Sequence, residues 1–150
     1  MPKIDVQAIP PSSATTYPEP FASDMRGRSY RRLGPAAGLT RIGASLVEIA
    51  PGGISSQRHW HSGIDELIVV LEGEAVLVED GGETLLRAGD VAACPADTPD
   101  GHHLLNRSDR PCRFLAVDNQ GVAADCHYPD VDLHWDAAGA RYRRKDGLPY

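Results

Sequence analysis

At 150 residues the chain suits one domain, large enough to bury a core without disulfide staples. It is 41% hydrophobic and 24% charged, and its formal charge of −6 argues against nucleic-acid backbone binding as the main task. Cys94, Cys112 and Cys126 form no CxxC pair, and MPKIDVQAIPP has neither an apolar h-region nor an early basic run. A disulfide framework, a thiolate zinc site, a signal peptide and a membrane span are therefore not expected, and the default is reduced thiols in the cytoplasm.

Residues 1–40 read as an irregular extension packing on the rest of the domain or on a partner subunit. PPSSATTYPEPF cannot be helical, and Gly34, Pro35 and Gly38 mark a loop. From Ile42 the texture changes. ASLVEIA (44–50), SQRHWH (56–61), ELIVVLEG (66–73), EAVLVED (74–80), ETLLRAGD (83–90), DVAACP (90–95), HHLLNR (102–107) and CRFLAVD (112–118) follow in turn. Each is short and bounded by Gly, Pro, Asp or Asn, and most are rich in Val, Ile and Leu. Such a series predicts an all-β domain, an antiparallel sandwich or barrel over residues 41–120. Residues 121–150 read as a polar tail in which Asp136–Arg144 admits one short helix. The tail's basic cluster (Arg141, Arg143, Arg144, Lys145) is followed by Asp146 and reads as a solvated end.

Four of the six histidines fall in two clusters, His59/His61 and His102/His103. Side chains alternate faces along a strand, so His59 and His61 project to the same side. Glu66 follows a short SGID turn and opens an apolar strand, sharing its inward face with Ile68 and Val70. A carboxylate buried there needs a partner, and a divalent cation is one. His102 opens a later strand on the face of Leu104 and Asn106. Three imidazoles and a carboxylate suit Mn, Fe, Co, Ni, Cu or Zn, one ion per chain, with coordination positions left for a substrate. His103 and Trp60 point away from the site, and His127 and His134 read as isolated and exposed. Gln57, Val47, Ile68, Cys94, Leu104 and Asn106 are candidate pocket residues. Cys94 also reads as a small buried apolar group, and Asn106 as structural or as hydrogen-bonding a ligand from behind.

These residues match a family pattern. Gly53-x5-His59-x-His61-x4-Glu66-x6-Gly73 resembles the first cupin motif at every fixed position, and Gly89-x5-Pro95 with His102-x3-Asn106 resembles the second. The second departs in having Asp97 where the family has glycine and a loop, ADTPDG, two residues longer. His102 is preferred to His103 because it alone has Asn106 four residues on. The Pro-rich entry, the string HWH and the ending RRKDGLPY narrow the likeness to small single-domain bacterial cupins. The resemblance implies a double-stranded β-helix, or jelly-roll barrel, of two antiparallel sheets. It also implies a metal near the barrel centre on His59, His61, Glu66 and His102, and a homodimer.

The expectation is a metal-dependent enzyme of dioxygenase, decarboxylase or isomerase type acting on a small polar molecule. The alternative is a non-catalytic small-molecule-binding or sensing module. Metal-free sugar epimerisation through a His–carboxylate relay is a third reading, disfavoured by the intact first motif. No helix-turn-helix, P-loop, GxGxxG or GxSxG is present.

Overall fold

Alternation of inward apolar and outward polar residues organises the middle of the chain into strands. The computed structural model describes residues 3–150. A 3-10 turn at Val6–Ala8 and the one-turn helix α1 (Phe21–Asp24) precede β1 (Arg28–Arg32), and α2 (Leu33–Ala36) leads into β2 (Ile42–Ile49). Then come β3 (Trp60–His61), β4 (Glu66–Glu72), β5 (Glu74–Glu79), β6 (Gly82–Arg87), β7 (Val91–Cys94), β8 (His103–Leu105) and β9 (Cys112–Asn119). The chain closes with β10 (Cys126–Tyr128), β11 (Leu133–Asp136) and β12 (Arg141–Arg143).

The strands form antiparallel sheets in the orders β1-β2-β9-β4-β7, β6-β5-β8 and β12-β11-β10-β3. The first sheet faces the second. Val47, Ile49, Ile68, Val70 and Phe114 from one interdigitate with Ala75, Leu77, Leu86 and Leu104 from the other in a single buried cluster. This is the jelly-roll arrangement expected of the sequence, with inward residues at every second position. Gly73 makes the tight turn from β4 to β5 at φ 74°, where a Cβ would sit 2.5 Å from the Pro111 carbonyl oxygen. Only glycine fits both demands.

Two expectations are corrected. The 1–40 segment is not wholly irregular: β1 pairs with β2 from Arg28↔Ile49 to Arg32↔Ser45. Its composition, RSYRR, carries no apolar alternation, so the strand is invisible to hydrophobic patterning. The tail has no helix at Asp136–Arg144. Those residues form the β11–β12 hairpin, with Trp135 paired to Tyr142 and Ala140 taking φ 47° in the turn. The tail strands extend the sheet that holds β3, through Cys126↔His61 and His127↔Trp60. Phe21, Cys126, Tyr128 and Leu133 form a second buried cluster, flanked by Tyr17, Trp135 and Tyr142. Both chain ends thus close over the edge of the barrel that carries the histidines. No described helix is long and apolar enough to cross a membrane, and all three cysteines are unpaired.

Candidate metal centre

The segment before β3 runs antiparallel to the segment entering β8, and the two exchange backbone hydrogen bonds at His59 and His102 (3.1 and 2.8 Å). That pairing sets the two rings 4.8 Å apart between centroids. The two-residue step to His61 sets its ring 4.7 Å from His59. Glu66 comes from the facing sheet, where β4 lies between β7 and β9. Its Oε2 reaches His102 Nε2 at 3.0 Å. Ligand atoms of His59, Glu66 and His102 all lie within 4.8 Å of one another. A second triad, His59, His61 and Cys126, meets the same limit, so His59 is common to both.

The protonation states favour a cation. A carbonyl oxygen only accepts, so His59 Nδ1 donates to the Gln57 carbonyl at 2.9 Å, leaving the Nε2 lone pair free. Burial, reinforced by His61, holds the His59 pKa down to about 3, and burial also lowers that of His61. Burial alone would raise Glu66, but the His102 hydrogen bond and the surrounding imidazoles bring it down to about 2. Burial likewise opposes charge on His102, and the adjacent Cys94 and Glu66 side chains outweigh it, raising the group to about 10. His102 Nδ1 is buried without a hydrogen-bond partner. The interior therefore offers two neutral imidazoles, one ionised carboxylate, and a proton held between Glu66 and His102. A divalent cation replacing that proton meets a donor set of matching charge and chemistry.

The cluster opens into a cavity of about 880 Å³. Its walls include His59, Glu66, His102, Val47 and Ile68. His61 and Cys94 instead line a smaller cavity of about 100 Å³, shared with Trp60, Pro95 and His102. Three candidate pocket residues lie elsewhere. Gln57 sits in a bend rather than a strand, so the period-two rule does not reach it, and its amide donates to Asp24 at 2.7 Å. Leu104 has no exposed surface and belongs to the apolar core. Asn106, 1% exposed, donates to the Ile49 and Arg110 carbonyls at 2.8 and 2.7 Å, bracing the turn before β9. His103 faces away from His102 and bonds the Ser56 carbonyl at 3.0 Å. His127 is not isolated: it stacks on Trp60 at 3.9 Å and hydrogen-bonds Ser62 at 2.9 Å.

Sequence reading missed three contributors. Cys126 faces the histidines from β10, and burial raises its thiol to about 12. Tyr128, two residues on and therefore on the same face, stacks on His59 with centroids 5.9 Å apart. Arg58 is clamped to Asp130 at 2.7 Å, to Asp80, and to the Gly101 carbonyl at 3.1 Å, tying three loops together immediately before His59. The period-two spacing of Cys126 and Tyr128 was the available signal. Arg58 left none.

The fold and this cluster define a class of β-barrel protein with an interior His/Glu site. Residues 45–118 match the cupin domain model Cupin_2. Over 99% of this chain and 96% of its own, a sugar phosphate isomerase of the cupin superfamily from Silicibacter pomeroyi DSS-3 is similar at 42% identity and a TM-score of 0.94. The chain belongs to the cupin superfamily. A candidate sugar phosphate isomerase from Acidithiobacillus ferrooxidans superposes with a TM-score of 0.73 over 82% of this chain and 80% of its own; at 22% identity it speaks for the fold alone. An oxalate-binding protein from Thermotoga maritima is 36% identical over 67 residues, 45% of this chain. The chain spans about half (54%) of that relative's length.

Proposed function

We propose that this cupin is a metal-dependent isomerase of small sugar phosphates, with one divalent transition metal held by His59, His61, Glu66 and His102. The observation that carries the reading is the placement of His59, Glu66 and His102 in the wall of a cavity of about 880 Å³. That volume is ordinary for a small-molecule site. The full-length likeness to the Silicibacter protein supplies the substrate class.

A bound divalent ion supplies Lewis-acid polarisation of a carbonyl and its neighbouring hydroxyl. The chain supplies the rest. His59 is oriented from behind by Gln57 and stays neutral, so its lone pair faces inward. Glu66 is the one acidic side chain lining the cavity, and it is ionised. As a ligand its carboxylate would offset part of the ion's charge, so Glu66→Gln removes a donor from the site. Tyr128 and its aromatic neighbours shield the histidines from water on the side of the chain ends.

The test is proton exchange. Metal-loaded protein incubated with sugar phosphates in D2O is expected to place deuterium at the carbon beside the carbonyl, with loss of at least a hundredfold in Glu66→Gln. Wild-type protein that exchanges no proton with any aldose or ketose phosphate under any of the six metals refutes the isomerase reading. A second reading, a non-catalytic binding module, draws on the likeness to the oxalate-binding protein. It is favoured if oxalate binds tightly and no exchange occurs.

The expected homodimer has support on the outer face of the five-stranded sheet, where Ile42, Leu67 and Val91 are 48%, 41% and 56% exposed. We propose this face as the contact between two copies. A monomer in sedimentation equilibrium at micromolar concentration argues against it.

A further inference from the structure

We propose that Arg28 and Arg32, with Tyr30 between them, form a phosphate-recognition wall in the same cavity, and so set its preference for phosphorylated ligands. The inference rests on the small-molecule reading above and adds the residues that would read the anionic end.

Strand register comes first. Arg28, Tyr30 and Arg32 pair with Ile49, Val47 and Ser45, and Val47 and Ile49 are inward residues of β2. Alternation therefore turns Arg28, Tyr30 and Arg32 inward and sends Ser29 and Arg31 outward. All three inward residues line the cavity that also holds His59, Glu66 and His102.

Charge comes second. Acidic residues outnumber basic ones 21 to 15. Arg58, Arg87, Arg107, Arg110, Arg113, Arg141, Arg143 and Arg144 each have a carboxylate within 4.0 Å. Among the described residues, Arg26, Arg28, Arg31, Arg32 and Arg41 have no such contact in the structure, and of these five only Arg28 and Arg32 line the cavity. An acidic protein that leaves two guanidinium groups without carboxylates in its main cavity has a standing demand for an anion there.

Preorganisation comes third. Arg28 is half-buried and held by the Ser55 and Ala14 carbonyls at 2.9 and 3.4 Å, and its Nε is buried with no partner. The Arg28 and Arg32 guanidinium carbons lie 5.6 and 5.5 Å from the Tyr30 ring centroid. Tyr30 is itself held by its hydroxyl, which donates to the Ala14 carbonyl at 3.2 Å. Arg28 is thus anchored and Arg32 stands exposed at the mouth of the cavity, and two guanidinium groups on one wall match a phosphate monoester in charge. A ligand spanning the cavity would then place its phosphate on β1 and its carbonyl end at the histidines.

Calorimetry with ribose 5-phosphate, ribose and inorganic phosphate, on metal-loaded and on chelated protein, tests this. Ribose 5-phosphate is expected to bind at least tenfold more tightly than ribose. Inorganic phosphate is expected to bind the chelated protein, because the arginines and not the ion hold it. Arg32→Ala, a change at an exposed position, is expected to weaken both phosphate-bearing probes at least tenfold and to leave ribose unchanged. Arg28→Lys keeps the charge, loses the fork and is expected to weaken them severalfold. Arg31→Ala removes the same charge from the outward face of the strand and is expected to change nothing. Phosphate binding that needs the metal, that is absent from wild type, or that falls equally in Arg31→Ala and Arg32→Ala overturns the proposal. Arg32-dependent phosphate binding without proton exchange leaves the wall standing and removes the isomerase. Exchange on a sugar phosphate indifferent to Arg32→Ala does the reverse.

Discussion

Two regions of one barrel interior are built from the same alternating strands and serve opposite ends. On β4, Ile68 and Val70 point into hydrocarbon, while Glu66, on the same face two residues earlier, points at imidazoles. On the segment entering β8, Leu104 is fully buried in the apolar cluster and His102, two residues before it, is 4% exposed and ion-paired. A shift of one pleat repeat separates a residue that stabilises the fold from one that carries chemistry. The core half needs only volume and shape. The polar half needs each buried group to have a partner: Glu66 and His102 pair with each other, His59 is held by the Gln57 carbonyl, and His102 Nδ1 has none.

The contrast breaks most visibly in the core. Leu104→Ala should cost about 2–5 kcal/mol, through lost transfer energy and the cavity left behind. Denaturant unfolding of the chelated protein measures it. A loss under about 1 kcal/mol would mean the cluster collapses around the gap and is looser than its burial suggests.

Next in size is the pH response of the metal-free protein. His59 falls from an ordinary 6.5 to about 3, and Glu66 from 4.5 to about 2. An unfolded chain takes up those protons before the folded one does, so stability is lost as pH drops below 6.5, and further below 4.5. His102 is raised from 6.5 to about 10, so its contribution is full below 6.5 and fades as pH climbs toward 10. The melting temperature of chelated protein is therefore expected to peak near pH 6.5 and fall on both sides. A profile flat from about pH 4 to 9 would mean that the histidine cluster carries no such linkage.

The first motif was legible because it lies on or beside regular strands. His59 and His61 obey the period of two, and Glu66 starts an unbroken apolar run. The rule failed at Gln57, where the backbone bends and no strand period applies. Asn106 lies on the expected face, and its amide is consumed by two backbone carbonyls, which fits the structural reading of it and not the pocket one. β1 was missed because its inward residues are Arg, Tyr and Arg, a pattern shaped by the cavity rather than by burial. The tail hairpin was missed because Trp135 and Tyr142 pair across a turn too polar to read as strand.

The smallest expected effect sharpens the loop that departs from the family pattern. Asp97 stands at the glycine position and takes φ 60°, while its carboxylate accepts the Gly63 amide at 3.2 Å. Asp tolerates this conformation better than most residues. Asp97→Ala should cost about 1 kcal/mol, from strain and the lost bond, with no change in metal content. Thermal unfolding reads it, and an unchanged melting temperature would show that the loop relaxes freely.

The most direct test of the metal assignment is elemental analysis of untagged protein, wild type beside His59→Ala, with circular dichroism confirming that both are folded. His59 belongs to both ligand triads, so wild type is expected to carry close to one transition-metal ion per chain and the variant almost none. Equal metal in the two folded proteins would contradict the assignment.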